Sequence, residues 1–290
     1  MTADLSTLTC LINNEVIRAM GVSPAGWLGE RLQPLLSRAT RRFCEIFLEA
    51  DRLIAQEGLA AACSWVLRNL VRDFRARGVQ NVPSGGPLII ASNHPGTVDS
   101  ITIGASAGRE DLRIIASDVP FLTSLSNIGQ HLIFLPRHDL QARMLAVRTG
   151  IRHLRAGGAL LLFAHGRIDP DPAFMPGAEA QLAGWSRSLD IFLERVPETR
   201  VVTSIVSNVI EPSYMHHPLT WLRRARPDRQ RLAMMVQIIQ QMLGRKLDLV
   251  PRVSFGEVID WTAVRDAGDA LRAAVQAASR LLRSHLAWQG

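Results

Sequence analysis

The chain has 290 residues, 47% of them hydrophobic, which excludes a disordered polymer and suits one large α/β domain with an appendage or two modest domains. A formal net charge of +7 points to an anionic partner, either a membrane surface, a phosphorylated substrate or nucleic acid. A single tyrosine and no interleaving of aromatic with basic residues speak against nucleic acid.

No run approaches the roughly 18 uncharged apolar residues of a membrane-spanning helix, and Met1-Thr2-Ala3-Asp4 has no signal-peptide character, so a cytoplasmic protein is expected. Lys246 is the only lysine. Arginine's planar fork suits phosphate, although a G+C-rich genome produces the same bias. Cys10, Cys44 and Cys63 lie far apart in apolar patterns and read as small buried hydrophobes.

Residues 1–78 read as helical. Leu28, Leu32, Leu35, Leu36, Ala39, Phe43, Ile46, Phe47, Ala50, Leu53 and Ile54 recur at spacings of three and four, with Pro34 marking a kink or a fresh start. A second stripe runs from Leu59 through Ala62, Val66, Leu67 and Leu70 to Phe74. Arg31, Arg38, Arg41, Arg42, Arg68, Arg72, Arg75 and Arg77 flank both. Such a face either lies in a membrane interface or packs on the next domain with its charges solvated.

From Gly78 the texture changes to short apolar runs: Leu88–Ser92, Leu112–Ala116, Leu132–Leu135, Ala159–Ala164, Val201–Val206 and Arg252–Val258. Helical patterns separate most of them, which predicts a mainly parallel mixed sheet flanked by helices. The clearest helix spans 139–156, with Asp139 as N-cap, Leu140, Met144, Val147, Ile151 and Leu154 inward, and Gly157-Gly158 as its stop. Residues 216–246 form a basic amphipathic segment around Trp221, fitting either a membrane surface or core packing. A last helix, 266–288, turns Leu271, Val275, Ala278, Leu281, Leu282 and Leu286 inward.

The chemistry concentrates in Leu88-Ile89-Ile90-Ala91-Ser92-Asn93-His94-Pro95-Gly96-Thr97-Val98-Asp99-Ser100. Here a buried strand ends at a Pro-Gly turn, leaving His94 at the strand's carboxyl end and Asp99 in the first turn of the next helix. An imidazole oriented by a carboxylate on its far nitrogen serves as a general base near neutral pH. A structural histidine capping a strand end would read the same way. Phe134-Leu135-Pro136-Arg137 and Phe163-Ala164-His165-Gly166-Arg167-Ile168-Asp169 place arginines just past two further strands. If the strands are parallel, one rim carries a base, a carboxylate and Arg137 and Arg167, a set suited to a phosphorylated hydroxyl compound. Either arginine also fits a solvated surface role. His165, Asp169 and Asp171 hint at a metal, but Asp-Pro-Asp-Pro reads first as a rigid turn, and no metal is expected. No nucleophile elbow, phosphate loop or dinucleotide fingerprint is present in the sequence.

The order of these features resembles the glycerolipid (lysophospholipid) acyltransferase family. Asn93-His94-Pro95-Gly96-Thr97-Val98-Asp99 resembles its Asn-His-x4-Asp block, and Phe134-Leu135-Pro136-Arg137 its second block. Phe163-Ala164-His165-Gly166 falls where the third, Phe-Pro-Glu-Gly-Thr-Arg, would lie, and Val201 to Val206 where the fourth would lie. The chain departs from the pattern in the third block, with His165 for glutamate, Ala164 for proline, Arg167 for threonine and Ile168 for arginine, and in the fourth, with Thr203 for proline.

The resemblance implies transfer of a fatty acyl group from acyl-CoA or acyl carrier protein to a lysophospholipid hydroxyl. His94 and Asp99 would be catalytic, and Asn93, Gly96, Thr97, Arg137, His165, Gly166 and Arg167 substrate-binding. It implies no bound cofactor and a peripheral place on the inner face of the membrane. The expected layout is a helical, membrane-docking region at 1–78, an acyltransferase-like domain at 79–262 and a C-terminal helix at 263–290. His165 suggests a second reading, a catalytically silent lipid-binding protein on the same scaffold.

Overall fold

The computed structural model describes residues 4–19, 21–116, 120–135, 139–222, 225–260 and 270–288. Seven strands form one sheet: β1 (Arg75–Arg77), β2 (Leu88–Ser92), β3 (Leu112–Ala116), β4 (Leu132–Phe134), β5 (Ala159–Phe163), β6 (Arg200–Ser207) and β7 (Arg252–Asp260), in the order β1-β7-β6-β2-β5-β3-β4. The run from β6 to β4 is parallel throughout; β7 lies antiparallel to β6, and β1 is parallel to β7. This is the mainly parallel mixed sheet the alternating pattern predicts.

Strand alternation divides the core. Leu88 and Ile90 of β2, Leu161 of β5 and Val202 and Val206 of β6 face one layer, where helices Leu5–Ala19, Trp27–Glu57, Leu59–Leu70 and Arg226–Met242 pack. Ile89, Ala91, Leu160, Leu162, Val201 and Ile205 face the other, beneath helices Leu140–Arg155, Ser188–Arg195 and Ala270–Ala287. Buried on both faces, β2 has no polar side chain before Ser92, as a central parallel strand requires.

The helix Trp27–Glu57 runs on through Pro34 and ends at Gly58, whose φ of 92° only glycine adopts readily. Its apolar stripe is buried from Phe43 onward, whereas Leu28 and Leu35 are exposed. The same helix buries Asp51, whose carboxylate accepts the backbone N–H groups of Asn127 and Ile128, both at 2.8 Å, at the start of helix Ser126–Gln130.

Three expectations of burial need correction. Leu140 and Met144 are exposed, at the end of helix Leu140–Arg155 that precedes its buried Ala146, Gly150 and Leu154; Val147 and Ile151 pack partly buried against the same core. The C-terminal helix buries Ala270, Ala274, Ala278, Leu282 and His285 and leaves Leu286 exposed. Leu271, Val275 and Leu281 pack partly buried against the same core, and His285 on the inward face bonds the hydroxyls of Ser207 and Ser254, both at 2.7 Å. Burial, together with Arg77 and Arg252, pushes the His285 pKa down to about 4. Of the cysteines only Cys44 is fully buried; Cys10 is exposed, and burial pushes the half-buried Cys63 thiol up to about 12.

Candidate active site

The site forms at the carboxyl ends of β6, β2 and β5. In β2 and β5 the pair Ser92 and Phe163 are register partners, so His94 and His165, each two residues further on, stand level on adjacent strands. The two imidazoles are brought together by pairing of segments about 70 residues apart.

His94 Nδ1–H donates to Asp99 Oδ2 at 2.8 Å. A carboxylate only accepts, so this bond fixes the tautomer and leaves the Nε2 lone pair free. Asp99 is 1% exposed, whereas the His94 side chain keeps 32% of its surface. The Asp99 carboxylate is held in turn by the N–H groups of Gly96, at 3.1 Å, and Ser100, at 2.6 Å. The His94 ring stacks on Phe163 with centroids 4.2 Å apart and planes 26° apart.

Asp169 forms a second link. The His94 backbone N–H donates to Asp169 Oδ2 at 2.9 Å, the Asp169 N–H returns a bond to the His94 carbonyl at 2.9 Å, and His165 Nδ1 meets Asp169 Oδ1 at 2.5 Å. Gln230, buried in helix Arg226–Met242, donates to the Asp169 carbonyl. Burial weighs against a charged His94, yet the attraction and hydrogen bond of Asp99, joined by the charge of Asp169, raise its pKa above the ordinary value. Burial likewise raises the Asp169 pKa, against the bonds from His94 and His165.

The other predicted residues take varied positions. Asn93 is buried, and its amide closes two bonds with Val206 of β6: Nδ2 to the carbonyl at 2.9 Å and the Val206 N–H to Oδ1 at 2.8 Å. It extends the β2–β6 ladder past the strand end. Gly96 packs so closely on the loop after β6 that an added Cβ would lie 2.6 Å from Val209 Cγ2. The Thr97 hydroxyl is buried with no hydrogen-bond partner among the described residues. Gly166 turns with φ 66°, and Arg167 beyond it is exposed. Arg137 lies outside the described residues.

Sequence reasoning left several supports unseen. Asp171 is buried and accepts the N–H groups of Ala173, Asn208, Val209 and Ile210, at 3.0, 2.9, 2.8 and 3.3 Å. The Asp-Pro-Asp-Pro turn thereby fastens the loop after β5 to the loop after β6. Gln237 donates to the Val209 carbonyl at 2.8 Å and accepts the Glu211 N–H at 2.9 Å. Buried glutamines seven residues apart on one helix were the available signal. Among the described residues no three His, Cys, Asp or Glu side chains gather as a metal site.

Residues 73–183, the span holding His94, Asp99, His165 and Asp169, match the family model described as Acyltransferase. No curated protein matches the chain. Among solved structures the chain is similar to the 1-acyl-sn-glycerophosphate (LPA) acyltransferase PlsC from Thermotoga maritima, at 14% identity and a TM-score of 0.49 over 98% of this chain and 96% of that one. Residues 73–183 carry an acyltransferase-family domain.

Proposed function

We propose that the chain transfers a fatty acyl group from a thioester, acyl-CoA or acyl carrier protein, to the free hydroxyl of a lysophospholipid or related phosphorylated amphiphile. The observation that carries this reading is the His94–Asp99 pair, at 2.8 Å, within the segment that matches the acyltransferase family. His94 Nε2 takes the hydroxyl proton as the oxygen attacks the thioester carbonyl. Asp99 stabilises the resulting imidazolium. The tetrahedral intermediate then expels the thiolate, which recovers the proton from His94, leaving an ester and a free thiol. Arg167, on the exposed turn past β5, with Arg137, holds the acceptor's phosphate. The chemistry runs on these side chains with no resident cofactor, the thioester being a substrate.

The acceptor is presented at the inner face of the membrane, on which the protein docks peripherally. Exposed Trp27, Leu35, Trp221 and Leu219 support docking, with Arg31 lying 5.7 Å over the Trp27 ring. Helices Trp27–Glu57 and Arg226–Met242 pack together, and Pro218–Leu222, which carries Leu219 and Trp221, contacts the second of them. Among the described residues no helix is long and apolar enough to cross a membrane.

The test is ester formation from an acyl thioester across a panel of lysolipids, with liposome flotation alongside. The reading predicts a product with a phosphorylated lysolipid and flotation with anionic vesicles. Flotation with no ester from any donor would favour a silent lipid-binding protein.

A further inference from the structure

Asp169 has both carboxylate oxygens committed at the site, one to the His94 main chain at 2.9 Å and one to the His165 ring at 2.5 Å. With the return bond from the Asp169 N–H to the His94 carbonyl, the turn after β5 clasps the backbone of the proposed base on both sides. Asp169 is 3% exposed at its side chain, and its own carbonyl is held by Gln230. Among the described residues, the one side chain that hydrogen-bonds the enclosed Asp169 carboxylate is His165.

We propose that Asp169 is a positioning residue for His94 and that His165 is the partner on which it depends, so that this site does not tolerate His165→Glu. The proposal rests on the acyl-transfer reading for its kinetic consequences and on the hydrogen-bond geometry for the rest. Where the resembling family has a glutamate, this chain carries an imidazole and supplies the carboxylate four residues later. A carboxylate at both places would set two anions across the gap now closed by a 2.5 Å bond, in a buried pocket. A glutamate at 165 alone is therefore harmful, and Asp169→Asn alongside it offsets part of the loss.

The groups that face His94 are Asp99 from the following helix and Asp169 from the turn after β5, with His165 behind Asp169. Asp169→Asn keeps an oxygen for the His94 N–H and removes the charge. Its first effect is thus electrostatic, a quantity that a merely structural role would not move.

The experiment follows the His94 imidazole by NMR titration and kcat/KM by thiol release against pH, in the full chain and in Asp169→Asn, His165→Gln, His165→Glu and the Asp169→Asn/His165→Glu double variant. Asp169→Asn is expected to move the His94 titration, and the acid limb of the rate profile, to lower pH. His165→Glu is expected to lose about a hundredfold in kcat/KM, as for a displaced catalytic group, and His165→Gln much less. The double variant should recover about tenfold over His165→Glu, the coupling of two contacting residues. An unmoved His94 titration in Asp169→Asn would overturn the proposal, as would His165→Glu matching His165→Gln. A wild-type chain without thiol release would sink the acyl-transfer reading while leaving the titration to decide the positioning role.

Discussion

His94 and His165 each stand two residues past a strand end, and those ends, Ser92 and Phe163, are partners across β2 and β5. Each imidazole binds a buried carboxylate through Nδ1, His94 to Asp99 and His165 to Asp169. Only His94 couples to both carboxylates, through its ring to Asp99 and through its backbone N–H to Asp169. That asymmetry is the structural reason to assign proton transfer to His94.

Asp99→Asn keeps the size of the side chain and removes its charge. The amide then favours the wrong imidazole tautomer and no longer stabilises the imidazolium. A fall in kcat of about 10³–10⁴, with the acceptor KM little changed, is expected. Steady-state thiol release measures it, and a loss under tenfold would contradict the role given to Asp99.

Gly96 is required by Val209, whose Cγ2 leaves 2.6 Å for a Cβ. Gly96→Ala should push the turn from the loop after β6, disturb the Gly96 N–H bond to Asp99 and lower kcat/KM about tenfold or more. Val209→Ala added to it should restore most of the loss, because it opens the space that the new methyl needs. Additive losses in the double variant would show that the contact is not the cause.

Asp171→Ala strands the backbone N–H groups of Val209 and Ile210 in the interior and releases those of Ala173 and Asn208 nearer the surface. At about 1–3 kcal/mol for each of the two buried donors left unpaired, a loss of at least about 2 kcal/mol is expected. Urea unfolding measures it, and a midpoint like that of the parent chain would refute the account of this turn.

The fold was legible where burial dictates composition. β2 and β5 read from the sequence because central strands of a parallel sheet are apolar on both faces. The three residues Arg75–Arg77 gave no such signal, being a polar edge strand recruited only when β7 arrives beside it. His94 and Asp99 were legible as neighbours in sequence. Asp169 and Gln230 were not legible as supports, because their partners come from pairing and packing at long range, and polar residues on an amphipathic helix read as solvated. Likewise, the apolar pattern of the last helix does not single out His285, whose bonds to Ser207 and Ser254 come from β6 and β7.

His285 also predicts a pH dependence of stability. Its folded pKa, about 4, lies below the ordinary value of 6.5, so between these pH values the unfolded chain binds more protons. The contribution is therefore present in full above about pH 6.5 and is lost as pH falls toward 4, to a limit of roughly 3 kcal/mol. Urea midpoints across this window should fall with pH in the parent chain and flatten in His285→Asn. Equal slopes in the two chains would contradict the assignment.

The central claim is that His94 carries the proton in acyl transfer, and the most direct measurement is thiol release from an acyl thioester with a lysophospholipid acceptor, comparing the parent chain with His94→Ala. The account predicts turnover in the parent and a loss of at least about a hundredfold in the variant, with a circular dichroism spectrum that matches the parent's. Release by His94→Ala at the parent rate would contradict it.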